Sequence, residues 1–127
     1  VKIGLILALL VPAIGARAET VAPPVISPPD SWVQRQSGTV RVLNKIDSTV
    51  QTLSLQVGQT IQVKSLSITL LACAVRPDDL PRDATARLSV SDSNAGVAGF
   101  QGWILQNEPA ANVVENPVFD IQLASCG

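Results

Sequence analysis

The chain has 127 residues, room for one domain, and 46% of them are hydrophobic, enough for a packed core. Nine Lys and Arg face ten Asp and Glu; removing Lys2 and Arg17 with a leader takes the basic count to seven, a net charge of −3. That balance excludes the basic footprint of a nucleic-acid binder and a polybasic membrane patch.

The first element is a targeting segment rather than a folded one. Lys2 supplies a single positive charge, Ile3 to Ile14 form an apolar run, and Ala16-Arg17-Ala18 has the small-x-small pattern of a cleavage site. Residues 1–18 are therefore expected to be a signal peptide cut before Glu19. The apolar run is shorter than the roughly 20 residues a membrane-spanning helix needs, so no membrane insertion is expected after cleavage. The mature chain is expected in an oxidising compartment, most simply a bacterial periplasm.

Residues 19–37 read as a Pro-rich tether. Pro23, Pro24, Pro28 and Pro29 favour an extended, solvated chain. Trp32 follows them, and the sequence leaves open whether its ring packs on the domain.

Residues 38–127 read as a β domain. Thr39–Ile46 alternates loosely. Gln51–Val57 alternates cleanly, with Leu53, Leu55 and Val57 on one face. Gly58-Gln59 then predicts a type II′ hairpin turn leading into Thr60–Lys64, with Ile61 and Val63 inward. Leu66–Val75 turns Leu66, Ile68 and Leu70 to one side, and Arg76–Asp83 is a charged loop broken by prolines. Thr85–Ser91 turns Ala86, Leu88 and Val90 inward, and Asp92–Gly96 is a turn. Val97–Leu105 predicts a strand whose glycines mark a bulge or a close backbone approach. Residues 107–115 predict one short helix, capped at Asn107 or Glu108, opened by Pro109 and stopped by Asn116-Pro117. Val118–Cys126 alternates again, with Phe119, Ile121 and Leu123 inward. The fold class is all-β: a small sandwich or partly open barrel of about seven strands with one short helix and one disulfide.

Cys73 and Cys126 are the two cysteines of the chain, so one pairing is available in an oxidising compartment. Two buried free thiols are the other reading. A zinc site is poorer, because two thiolates without histidine leave the metal under-coordinated. By strand parity, Cys126 shares a face with Asp120 and Gln122, and Cys73 with Ser67 and Thr69. An unbroken count therefore places the disulfide on the outer side or at the strand ends, away from the core.

The motifs Leu43-Asn44-Lys45, Val57–Thr60, Cys73 followed by the 76–81 loop, Phe100–Trp103, Glu108-Pro109, Glu115–Asp120 and Cys126 occur in a recognisable order. This order resembles the small secreted family, found in the alpha class of proteobacteria, catalogued as domain of unknown function 2155. The most specific part is the C-terminal block: Gly-Trp, about a dozen residues, x-Pro-Val-aromatic-Asp and Cys. The resemblance implies secretion and a disulfide, and no established activity. The family pattern often has Asp where this chain has Asn44, His where it has Asn116 and Tyr where it has Phe119.

With no His in the chain and both cysteines paired, most nucleophile–base machinery is missing, and no catalytic residue is assigned. Asp47, Glu115 and Asp120 are the carboxylates left for a glycosidase-type pair. The stretch Asp92–Gly96 has part of the outline of a calcium loop but lacks its distal Glu, and Asp78, Asp79 and Asp83 read as a solvated loop. No metal and no cofactor are expected. Candidate binding residues are Trp103, Asp120 and Lys45. Trp103 reads first as core packing beside Gly102 and second as an exposed anchor. Lys45 and Asp120 are positioned for an ion pair between the first and last strands. The expected function is a non-enzymatic binding or accessory module for another cell-envelope component, a protein or a glycan. The alternative is a carboxylate-dependent hydrolase acting on a cell-wall glycan.

Overall fold

Apolar residues at every second position turn into eight strands in the computed structural model, which describes Gly4 and residues 27–127. The predicted cleavage site, the apolar run around Gly4 and the first part of the predicted tether lie outside the described residues. The strands are β1 (Val33–Arg35), β2 (Ser37–Asn44), β3 (Val50–Gln56), β4 (Thr60–Val63), β5 (Leu66–Val75), β6 (Ala84–Asp92), β7 (Phe100–Leu105) and β8 (Phe119–Cys126). They form two antiparallel sheets. One has the order β1-β5-β6-β7, with β4 also paired to β5, and the other has the order β3-β2-β8. The first edge of β5 is thus shared: β4 covers Leu66–Thr69 and β1 covers Cys73–Val75.

The core lies between the sheets. Leu66, Ile68 and Leu70 of β5, Ala86 and Leu88 of β6, and Val40 of β2 are wholly buried, and Phe119, Ile121 and Leu123 of β8 face them nearly as deeply. Burying each large aliphatic side chain contributes about 1.5–3 kcal/mol. This aliphatic packing is what a chain with two Phe and no Tyr or Met must use.

The chain changes sheets twice at one corner. β1 runs into β2 through the single residue Gln36, and β3 passes to β4 through Val57–Gln59. The two crossings are joined by the bond from Val57 N–H to the Gln36 carbonyl, 2.8 Å. The predicted Gly58-Gln59 hairpin is therefore corrected. Gln59 N–H donates to the Gln56 carbonyl at 2.9 Å, and Gly58, at the third position of this turn, has φ +90°. That is the geometry of a type II turn, which Gly favours at this position. It carries β4 away from β3 onto the other sheet, and Val57, predicted inward, is exposed at the corner. The two-residue hairpin falls instead at Lys64-Ser65, between β4 and β5, with Lys64 at φ +51°.

Three further expectations change. The end of the span read as tether, Val33–Arg35, is a strand of the first sheet. The predicted helix contracts to a 3-10 turn at Pro109–Ala111. Asn112 already has extended backbone, and its side-chain amide donates to the Trp103 carbonyl at 2.8 Å. Val114 then plugs into the core between β7 and β8. The strand expected from Val97 begins at Phe100.

The disulfide does form, between Cys73 and Cys126, with Cα atoms 5.7 Å apart. It joins β5 of one sheet to β8 of the other, facing inward, so its predicted outer placement is corrected. Two bulges explain this. The β5–β6 register slips between Leu70 and Ala72, and the β2–β8 register slips opposite Thr39/Val40, where Ala124 is the extra residue. Each added residue flips the parity of the strand beyond it. Cys73 becomes wholly buried and Cys126 half-buried. The bond closes a loop with a sequence separation of 53 residues, worth about 4 kcal/mol in the chain-entropy account.

Candidate functional site

The strand ends nearest the disulfide hold a cleft of about 360 Å³. Its walls come from five segments: Arg35 at the end of β1, Val75 and Arg76 at the end of β5, Asp78 and Arg82 to Ala84 in the following loop and the start of β6, Gln106-Asn107 after β7, and Ser125-Cys126 at the end of β8. The charged loop that the sequence reads as solvated is tied down at both ends. Arg76 N–H extends the β5–β6 ladder to the Asp83 carbonyl at 3.0 Å.

Arg76 and Asp83 form the frame of the cleft. The Arg76 guanidinium donates to the Pro81 carbonyl and to Asp83 Oδ2, each at 3.1 Å, and lies 5.3 Å from the centre of the Trp32 ring. Trp32 thus packs on the domain, which the sequence left open, by a cation–π contact. Asp83 is buried, and its other oxygen accepts from Ala84 N–H at 2.8 Å and Asn107 N–H at 3.2 Å. The loop is held from the far side too. Asn107 Nδ2 donates to the Arg82 carbonyl at 2.7 Å, and Gln106 Nε2 reaches across to the Ala124 carbonyl of the second sheet at 2.7 Å.

The opposite end of the sandwich carries a polar hub. The side-chain oxygen of buried Asn116 accepts from Val118 N–H (2.9 Å) and Phe119 N–H (3.0 Å), and its amide donates to Asp92 Oδ2 at 3.0 Å. Asp92 Oδ1 accepts from Asn94 N–H at 2.9 Å. The Asn116 amide first, and then the Asn94 N–H, hold the Asp92 carboxyl below the usual carboxylate range. These bonds make the Asp92–Gly96 stretch an Asx-type turn clamped to the β7–β8 connection. Asp47 is lowered likewise, by the Thr49 hydroxyl and then the Thr49 N–H.

The three residues singled out from the sequence stand apart. Lys45 Nζ donates to the Asn116 carbonyl at 2.8 Å, and the expected Lys45–Asp120 ion pair is not made. The two residues are not directly opposed. Lys45 N–H bonds the Val118 carbonyl and Asp120 sits opposite Leu43, so the two side chains are diagonal neighbours, typically about 7–8 Å apart. Asp120 instead lines a shallow depression on β8 beside Pro109 and Val113. Trp103 is half-buried on the outer face of β7, opposite Arg87, while Ile104 takes the inward position. Its reading as core packing is corrected by that parity. Among the carboxylates considered for hydrolysis, Asp47 lies in the β2–β3 loop, Asp120 on β8, and Glu115 is exposed in the β7–β8 connection.

The sequence reading missed the cleft itself. Arg35, Arg76 and Arg82 come from separate stretches, and each alone looks like an ordinary surface charge. A weak signal was present in the pairing of Arg76 with Asp83, seven residues apart around a proline-broken loop.

Fold and cleft together define a small β-sandwich stapled sheet to sheet by one disulfide, with an arginine-lined opening at the stapled end. The chain belongs to the family described as "Uncharacterized protein conserved in bacteria (DUF2155)", which matches residues 38–126. No curated protein and no solved structure matches it.

Proposed function

We propose that this chain is exported and works in the periplasm as a non-enzymatic binding or accessory module for another component of the cell envelope. The cleft at the stapled end carries this reading. It is lined by apolar Val75 and Ala84, a few polar groups and three arginines, of which Arg76 is held by hydrogen bonds, a combination suited to ligand recognition. The sheet-to-sheet disulfide supports the address, because such a bond persists in oxidising compartments. The leader-like residues 1–18 support it independently.

The test is crosslinking in whole periplasm with the tagged protein, followed by identification of what is captured. A reproducible envelope partner, lost when the cleft is blocked by a bulky substitution at Ser125, is the expected result. Recovery of the chain in the cytoplasm with both thiols alkylatable, or capture unaffected by the Ser125 change, would overturn the reading.

A further inference from the structure

We propose that the cleft is an oxyanion site, in which Arg35 and Arg82 grip a carboxylate or phosphate group of a small ligand. This rests on the reading of the cleft as the recognition surface.

The argument starts from which charges are already committed. Arg76 and Asp83 neutralise one another at 3.1 Å, and both oxygens of Asp83 already accept N–H donors. They build the wall. Arg35 and Arg82 differ: neither guanidinium has an ion pair or side-chain hydrogen bond among the described residues. Yet both are anchored at the backbone. Arg35 is the last residue of β1, in register with Cys73, and the Arg82 carbonyl is held by Asn107. Two arginines with uncommitted side chains therefore line the same opening, against one uncommitted acidic residue, Asp78.

This local balance runs against the molecule as a whole. The full chain has a net charge of −1, yet three of its nine basic residues line one cleft. Scattered surface charge does not need such a gathering. Arginine, rather than lysine, presents the planar fork that matches carboxylate and phosphate oxygens two at a time. The amides of Gln106 and Asn107 and the Ser125 hydroxyl add neutral polar groups around that fork, and Val75, Ala84 and Cys126 supply the apolar floor. The cleft volume, about 360 Å³, suits a small anionic group with a short apolar attachment.

The experiment uses the exported, processed protein with its disulfide intact. Amide NMR titrations are run with three probes: inorganic phosphate, an N-acetylated dipeptide with a free C-terminal carboxylate, and the same dipeptide amidated. Expected are shift changes clustered at Arg35, Arg82, Asn107 and Ser125 for at least one oxyanion and not for the amide. Saturation by phosphate alone assigns a phosphoryl ligand, and saturation by the free dipeptide alone assigns a carboxylate ligand. Arg35→Gln and Arg82→Gln should each weaken binding by about tenfold, with Arg35→Lys intermediate and thermal midpoints unchanged. Binding should also fall as salt rises. No shifts with either oxyanion, or undiminished affinity in both Gln variants, overturns the proposal. The periplasmic crosslinking separates this failure from failure of the broader reading. A partner still captured through the cleft, with no oxyanion binding, removes only the ligand assignment.

Discussion

Replacing Gly38 with alanine should destabilise the protein through a single contact with the disulfide. Gly38 lies on β2 in register with Cys126, and a Cβ built on it would sit 2.7 Å from Cys73 Sγ, with Leu70 Cδ2 and the Ser125 carbonyl at 3.4 Å. The sulfur cannot swing aside, because its bond ties it to the other sheet. Overpacking of this kind costs about 1–3 kcal/mol. Alanine also gives back about 0.5–1 kcal/mol by restricting the unfolded chain. The net expectation is a loss of about 1–2 kcal/mol, or a fall in Tm of roughly 5–15 °C for a domain this size. Urea unfolding of Gly38→Ala is compared in two backgrounds, the oxidised protein and Cys73→Ala/Cys126→Ala. Removing both sulfurs should erase the penalty and leave alanine neutral or slightly favourable. An equal loss in both backgrounds would refute the reasoning, because the clash would then lie with the backbone rather than with the staple.

Further expectations rest on other parts of the molecule. The folded Asp92 carboxyl has its pKa lowered by Asn116 and Asn94, so the unfolded state binds more protons in that range. Its stabilisation is present above the ordinary carboxylate pKa of about 3.9 and is lost as pH falls through the lowered value. Asp92→Asn should flatten the acid side of a stability profile measured by urea unfolding between about pH 5 and pH 2.5; an unchanged slope would show that the hub is not protonation-linked. Asp83→Ala leaves the half-buried Arg76 without its partner and two N–H groups without an acceptor. It should cost about 3 kcal/mol by chemical denaturation, and a loss under about 1 kcal/mol would show the loop frame to be dispensable. Deleting residues through Gln36 removes β1 and Trp32, uncovering the Cys73–Val75 edge of β5. Limited proteolysis should then cut the 76–83 loop faster than in the intact chain, although the family match itself begins at residue 38.

Much of the sandwich was legible because alternation is a local signal. Leu66, Ile68 and Leu70, Ala86, Leu88 and Val90, and Phe119, Ile121 and Leu123 all face the core as the period-two pattern requires. What stayed hidden was whatever breaks that period without announcing itself. The extra residues near Leu71 and at Ala124 carry neither the Gly nor the Pro that usually marks a bulge, so nothing in the sequence showed that the cysteines had changed faces. Gly58 drew the hairpin assignment because glycine is the usual mark of a tight turn, while Lys64-Ser65 makes the real hairpin with no such mark. The cleft was illegible for a different reason. Arg35, Arg76 and Arg82 meet only because β1 pairs with the end of β5, a contact between a segment that reads as linker and a strand far along the chain. Trp103 and Asp120 stood out by rarity and by motif, yet they lie on separate outer surfaces.

Cys126 serves twice: it ends the staple between the sheets and forms part of the cleft wall. Oxidation therefore adds a covalent tie to a cleft wall that strand pairing already places. Before the bond closes, nothing covalent holds the end of β8 against β5, and Ser125 and Cys126 are placed by the β2–β8 pairing and the Gln106 bond to the Ala124 carbonyl. The reduced chain thus keeps the strands of the mouth but lacks the bond that locks one sheet to the other there.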